Sequence, residues 1–264
     1  MNVQTTVGAD YGYLDFILIH ADHRAVTKAV IQTLRQQEED LLAVRAELVE
    51  TPFVVRALAR LGLGNAMKRP DELPIDPGDI QAFTMFDGTA GSDVLFSSES
   101  PHDNLNADEA FRVSSLTHAP DWTLIELRET VSGLCLLASS LSETLDGTDV
   151  LYFRKSGRLT AEPHFDFHVY QATETVRRVL CRVTRPTGDP AQARWEGTLD
   201  GYTTEYEPQG MYPSGIKPSE VLNNAKIDAI LAHNGLSHAT LFRAGAKSKS
   251  IVFARKAGGA PMPG

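Results

Sequence analysis

The sequence predicts an α+β protein built on a mainly antiparallel sheet with a few covering helices. Three observations lead there. Strand-length apolar stretches come in hairpin-spaced groups, helical repeats are few and do not alternate strictly with strands, and no strand-like run is followed by GxGxxG or GxxxxGK[ST]. A doubly wound nucleotide-binding fold therefore has no support.

The elements follow in order. YLDFILIHA (13–21) is a continuous apolar run, as a strand covered on both faces requires. Asp22 can cap a helix whose residues Ala25, Val26, Ala29, Val30 and Leu34 repeat at helical spacing. Its helical character continues to about residue 49, with the charged QQEED (36–40) on the exposed side. Thr51-Pro52 opens a second helix, FVVRALARL, which Gly62 stops. Prolines mark 64–78 as a loop, and DIQAFTMF (79–86) and SDVLFSS (92–98) read as strands.

FRVSSLTH and WTLIELR come next as strands, then the helix SGLCLLASSLSETLDG, then the strand TDVLYFRKSG. EPHFDFHVYQ (162–171) and TVRRVLCRVT make a hairpin around Ala172-Thr173-Glu174. WEGTLDGYTTEYE (195–207) mixes strand and turn character. PSEVLNNAKIDAILAHNGL (218–236) is a helix with Ser219 as its cap and Asn234-Gly235 as its stop. HATLF and SIVFARK are the last strands. From Phe242 to Gly264 acids are absent while Arg243, Lys247, Lys249, Arg255 and Lys256 accumulate, which suggests a solvated edge strand protected by lysines or, alternatively, a docking patch for an acidic partner. The final GGAPMPG is expected to be disordered.

The polar stretch 99–110 suggests a division into an N-terminal half, 1–105, a C-terminal half, 106–257, and a tail, 258–264. Asp15-Phe-Ile-Leu-Ile and Asp121-Trp-Thr-Leu-Ile each open a strand that feeds a helix, a weak echo suggesting two similar halves.

Composition narrows the function classes. A net charge of −9 opposes general affinity for nucleic acid or anionic membrane, and suits a basic protein partner. No apolar run approaches the ~18 residues that cross a bilayer, and the N-terminus lacks the pattern of a secretory signal. Cys135 and Cys181 sit in apolar runs without a CxxC partner, which points to buried thiols in a reducing cytoplasm. No serine lies in GxSxG and neither cysteine has a histidine beside it, so nucleophilic catalysis has no motif. Glu205 and Glu207 share a face and read as solvated.

Two constellations carry chemistry. As a strand, 164–170 places Phe165, Phe167 and Val169 on one face and His164, Asp166, His168 and Tyr170 on the other. Imidazole and carboxylate suit Zn²⁺, Mn²⁺ or Fe²⁺, and His20 and His23 in IHADHRA (19–25) are candidates to complete such a site. The plain account of the same alternation is a sheet with one solvated face, in which no cofactor is needed. Trp195, Tyr202, Tyr206 and Tyr212 form the densest aromatic region and are candidate anchors for a protein partner. The expectation is thus a non-catalytic protein-binding module of adaptor, inhibitor or immunity type. The alternative is a divalent-metal hydrolase using the HxDxH strand, and the sequence leaves a homo-oligomer open.

Overall fold

The computed structural model describes residues 14–50, 83–88, 109–127, 135–155, 164–184 and 193–255. Nine strands among them form one antiparallel sheet: β1 Leu14–Ile19, β2 Thr84–Asp87, β3 Glu109–Leu116, β4 Thr123–Leu127, β5 Val150–Lys155, β6 His164–Gln171, β7 Glu174–Thr184, β8 Arg194–Gly201 and β9 Lys247–Arg255. The spatial order is β2-β9-β3-β4-β1-β5-β6-β7-β8. The helices are α1 His23–Glu50, α2 Cys135–Thr144, α3 Asn224–His233 and α4 His238–Phe242, with a 3₁₀ turn at Pro218–Glu220. The protein is α+β. The predicted second helix, the loop at 64–78, the strand at 92–98 and the tail lie outside the described residues.

Phe16, Leu18, Leu124, Phe153, Phe167 and Val179 point to one face of the sheet and pack against Leu222, Ile227, Ile230, Leu231 and Phe242. Ile17, Ile19, Ile125, Tyr152 and Tyr170 point to the other, against Val26 and Val30 of α1 and Leu137 and Leu141 of α2. The continuous apolar run of β1 is thus explained: both its faces are covered, as in a parallel sheet, although every pairing is antiparallel. At the centre, β1-α1-β3 and β4-α2-β5 interleave as β3-β4-β1-β5 with both helices on one face, the split β-α-β arrangement. The sequence echo falls on its two leading strands. The offset relating Asp15 to Asp121 also relates Leu18 to Leu124, which are paired across β1 and β4. Strands from both sides of residue 105 mix in this sheet, β1 lying between β4 and β5 and β2 pairing with β9.

Local signals set the ends of several elements. Asp22 caps α1, its Oδ1 accepting from the Arg24 and Ala25 amides at 2.9 and 3.1 Å. Gly235 follows α3 with φ +70, the left-handed conformation that ends helices. Two expectations are corrected here. The helix predicted from Ser219 is broken: buried Val221 and Leu222 turn the chain into the core after the 3₁₀ turn, and Asn223 caps α3 by accepting from the Lys226 amide. HATLF is a helical turn, because Ser237 and Thr240 form a reciprocal capping box that buries Leu241 and Phe242 together.

A third correction concerns the basic C-terminal strand. β9 lies inside the sheet, between β2 and β3, so its lysines guard no edge. Lys247 is buried, its Nζ 3.3 Å from Glu126 Oε1, while Arg112 donates to Glu126 Oε2 from Nε and Nη2 at 3.1 and 2.8 Å. Glu207 is also buried rather than solvated. Arg177 Nε lies 2.8 and 2.9 Å from its two carboxylate oxygens, and Arg177 Nη1 donates to the carbonyls of Asp200 and Gly201. Burial pushes the Glu207 carboxyl up, against the opposing pull of Arg177. This pair fastens the chain after β8 onto the sheet.

The β6–β7 hairpin turns at Ala172 and Thr173, with φ 44 and 75, closed by the pair Gln171 and Glu174. Positive φ at both central residues is the type I′ geometry that prefers Asn-Gly. Helix α2 holds it. Ser142 Oγ accepts from the Thr173 amide at 3.0 Å, and Ser139 Oγ donates to the Thr173 carbonyl at 3.1 Å. Those bonds use only the backbone of Thr173, so the double substitution Ala172→Asn/Thr173→Gly should keep them and relieve strain. We expect a gain of about 1 kcal/mol, or about 2–4 °C in Tm. An unchanged or lower Tm in a thermal scan would refute the strain.

Candidate functional site

The row on β6 arises from alternation, and the sheet decides what it meets. Phe165, Phe167 and Val169 go to the face covered by the segment bearing α3 and α4, with Phe167 and Val169 fully buried. His164, Asp166, His168 and Tyr170 share the face that α1 and α2 cover at the sheet centre. That face is not the solvated one the plain account required. Asp166 and Tyr170 are 8% and 5% exposed, and His168 is half-buried.

Two imidazoles converge on one carboxylate. His164 Nε2 lies 2.5 Å from Asp166 Oδ2, and His168 Nε2 lies 3.6 Å from Asp166 Oδ1. On its other side His168 Nδ1 is 2.8 Å from the Tyr170 hydroxyl. Across the sheet Asp166 stands opposite Arg154 of β5, which stands opposite Asp15 of β1, while His168 stands between Tyr152 of β5 and Arg178 of β7. His164 faces Arg182 of β7. Burial pushes the Asp166 carboxyl up. The hydrogen bonds and charges of His164 and His168 outweigh it and hold the group well below the usual carboxylate range.

His20 and His23 are not brought to this row. The register sets Asp166 level with Asp15 and Tyr170 level with Ile19, so His20 lies past the far end of β1. Strand geometry puts its Cα roughly 19 Å from that of Asp166. The His20 ring lies tilted against Trp122, a residue of the opposite core, with ring centres 4.9 Å apart. His23 Nε2 is 3.3 Å from the Val113 carbonyl on β3, four strands away from β6. Among the described residues no group of three or more His, Cys, Asp or Glu side chains has the geometry to hold a metal ion.

The aromatic candidates divide. Tyr206 and Tyr212 pack against the core, and the Tyr212 ring is sandwiched by Arg177 at 5.1 Å and Lys226 at 4.5 Å. Trp195 and Tyr202 stay exposed, at 39% and 59%, and Leu199 joins them at 37%. Trp195 and Leu199 share one face of β8, the last strand of the sheet, and the Tyr202 hydroxyl reaches Gln171 at 3.1 Å. No family model matches this chain, and no curated protein or solved structure is similar to it. Sequence reasoning missed Leu199 and the edge position of β8. The alternation in RWEGTLDG carried a signal for the first, but only the strand order reveals the second.

The β6 row can therefore keep a carboxylate ionised between imidazoles, and β8 has a strand partner on one side only among the described residues, with exposed apolar side chains beside it. The low Asp166 titration carries a sign. The folded chain binds fewer protons than the unfolded one, so the stabilisation is present above the unfolded value near 3.9 and is lost as pH falls towards the folded one. In denaturant titrations the stability gap between wild type and Asp166→Asn should stay constant down to about pH 5 and shrink below about pH 4. A gap independent of pH would remove the buried carboxylate from this account.

Proposed function

We propose that the protein is a non-catalytic protein-binding module of adaptor, inhibitor or immunity type, with edge strand β8 and the adjoining Tyr202 as its docking surface. The observation that carries this reading is the composition of that edge. β8 contains neither proline nor lysine, the usual guards of an unpaired strand, and it sets Trp195 and Leu199 beside a backbone with pairing partners on one side only among the described residues. Strand addition supplies main-chain hydrogen bonds, and alternate side chains supply specificity. Exposed aromatic residues are the frequent anchors of such contacts. The net charge of −9 favours a basic partner surface around the edge. No helix among the described residues is long and apolar enough to cross a membrane. The proposed setting is the cytoplasm, where the unpaired, buried Cys181 would stay reduced.

Affinity capture from the native source tests this reading. The wild-type chain should retain a partner that Trp195→Ala and Tyr202→Ala both lose, while the thermal stability of each variant stays within about 0.5 kcal/mol of wild type. Identical capture by all three proteins would sink the proposal.

The nearness of two imidazoles to Asp166 leaves one second reading, a divalent-metal hydrolase in which His164, Asp166 and His168 would turn from their mutual contacts to hold the ion. It expects near-stoichiometric zinc, manganese or iron in untagged protein, lost in His164→Ala and His168→Ala. Elemental analysis that finds no such metal after purification without chelators would eliminate it.

A further inference from the structure

We infer that β8 pairs with β8 of a second copy of this chain, antiparallel, across a two-fold axis at Gly197. The inference rests on the docking edge of the reading above and replaces its basic partner with a second copy of the chain.

Register carries it. A two-fold axis perpendicular to a sheet leaves every side chain on its own face, so opposite residues must come from the same alternate set. In β8 one set is Arg194, Glu196, Thr198 and Asp200, opposite Thr184, Arg182, Leu180 and Arg178 of β7. The other is Trp195, Gly197, Leu199 and Gly201. Placing Gly197 opposite its copy sets Arg194 against Asp200 and Trp195 against Leu199, each twice by symmetry. Glu196 then meets Thr198, and no like charges oppose. Moving the axis one residue either way destroys this. An axis at Glu196 opposes two glutamates, and an axis at Thr198 sets Glu196 against Asp200. Directly opposed like charges are destabilising and opposite charges stabilising across antiparallel strands, so one register stands out among its neighbours.

Among the described residues no further strand pairs with this edge. Arg194, Trp195, Leu199 and Asp200 are all exposed. The 3₁₀ turn packs directly over Gly197 on one face of β8 and also reaches β7, where the Pro218 carbonyl accepts from Cys181 Sγ at 3.1 Å. A Cβ at Gly197 would meet Val221 Cγ2 at 2.7 Å and the Pro218 carbonyl at 2.9 Å, so the chain's own packing requires glycine at the axis. Among the described residues Arg194 pairs with the half-buried Glu196, at 3.3 Å, and its own side chain is exposed, which leaves it able to turn towards a facing carboxylate. The net charge of −9 on each copy opposes association in general. At physiological ionic strength that repulsion is screened beyond about 8 Å, whereas the paired charges at the edge would be in contact.

Sedimentation equilibrium of the full chain, from micromolar to hundreds of micromolar, tests the pairing through a charge exchange. Wild type should be a dimer. Arg194→Asp opposes two acids at each end, and Asp200→Arg opposes two bases, so each variant alone should dissociate about tenfold or more readily. Mixed in equal amounts, the two variants should recover near-wild-type affinity, because each supplies the charge the other lacks. That recovery also shows both variants to be folded. A wild type that stays monomeric, a dimer indifferent to both substitutions, or a mixture that fails to recover would each overturn the inference. The docking reading is tested separately: if wild type is monomeric yet Trp195→Ala loses a captured partner, the edge binds another protein and only self-pairing is wrong, whereas capture indifferent to Trp195→Ala and Tyr202→Ala sinks the docking reading itself.

Discussion

Burial of the central strands on both faces is the constraint from which the rest of the structure follows. Phe16, Ile17, Leu18 and Ile19 are consecutive and almost wholly inaccessible. In a strand, consecutive side chains go to opposite sides, so one layer of cover cannot shelter them. Helices α1 and α2 cover one side, and the segment bearing α3 and α4 covers the other. An antiparallel sheet of this kind behaves at its centre as parallel sheets do. Cover thins outward, and at β8 most of the strand is exposed.

Polar groups drawn into this core must find partners there, because an unpaired buried charge costs far more than a lost contact. Glu126 sits between Arg112 and Lys247, and Glu207 is met by Arg177. Such pairs are poor sources of net stability, but each joins separate pieces of chain. Arg177 joins β7 to β8 through the Asp200 and Gly201 carbonyls and to the following loop through Glu207. The row His164, Asp166, His168 belongs to the same pattern: a carboxylate is carried inward by the strand and two imidazoles keep it ionised. Its chemistry is explained by burial before any reaction need be invoked. The exposed apolar side chains of β8 have no such explanation among the described residues, which is why the edge carries the functional proposal.

Much of the local structure was legible. The strand alternation at 164–170, the Asp22 cap, the Asn234-Gly235 stop and the hairpin at Ala172 and Thr173 were all readable, since each depends on residues a few positions apart. Failures came where local signals were balanced and distant contacts decided. HATLF has β-branched and aromatic residues that suit a strand, but the Ser237–Thr240 box and a receiving core made it helical. Glu207 looks as solvated as Glu205 in sequence, and Arg177 lies thirty residues away. At the candidate site the shared face of His164, Asp166 and His168 was readable because one strand carries them. His20 and His23 were grouped with them on residue type alone, and type does not say which strands are neighbours.

By itself the sequence determined the class, α+β with an antiparallel sheet, the identity of most elements, and which side chains share a face of β6. These follow from periodicity and turn chemistry, which act along the chain. Only the tertiary structure decided that β1 lies between β4 and β5, that β9 is interior, and that β8 is left at the rim with Trp195 and Leu199 uncovered. Strand order is set by the joint fit of two cores and several buried ion pairs, and no stretch of sequence contains that fit.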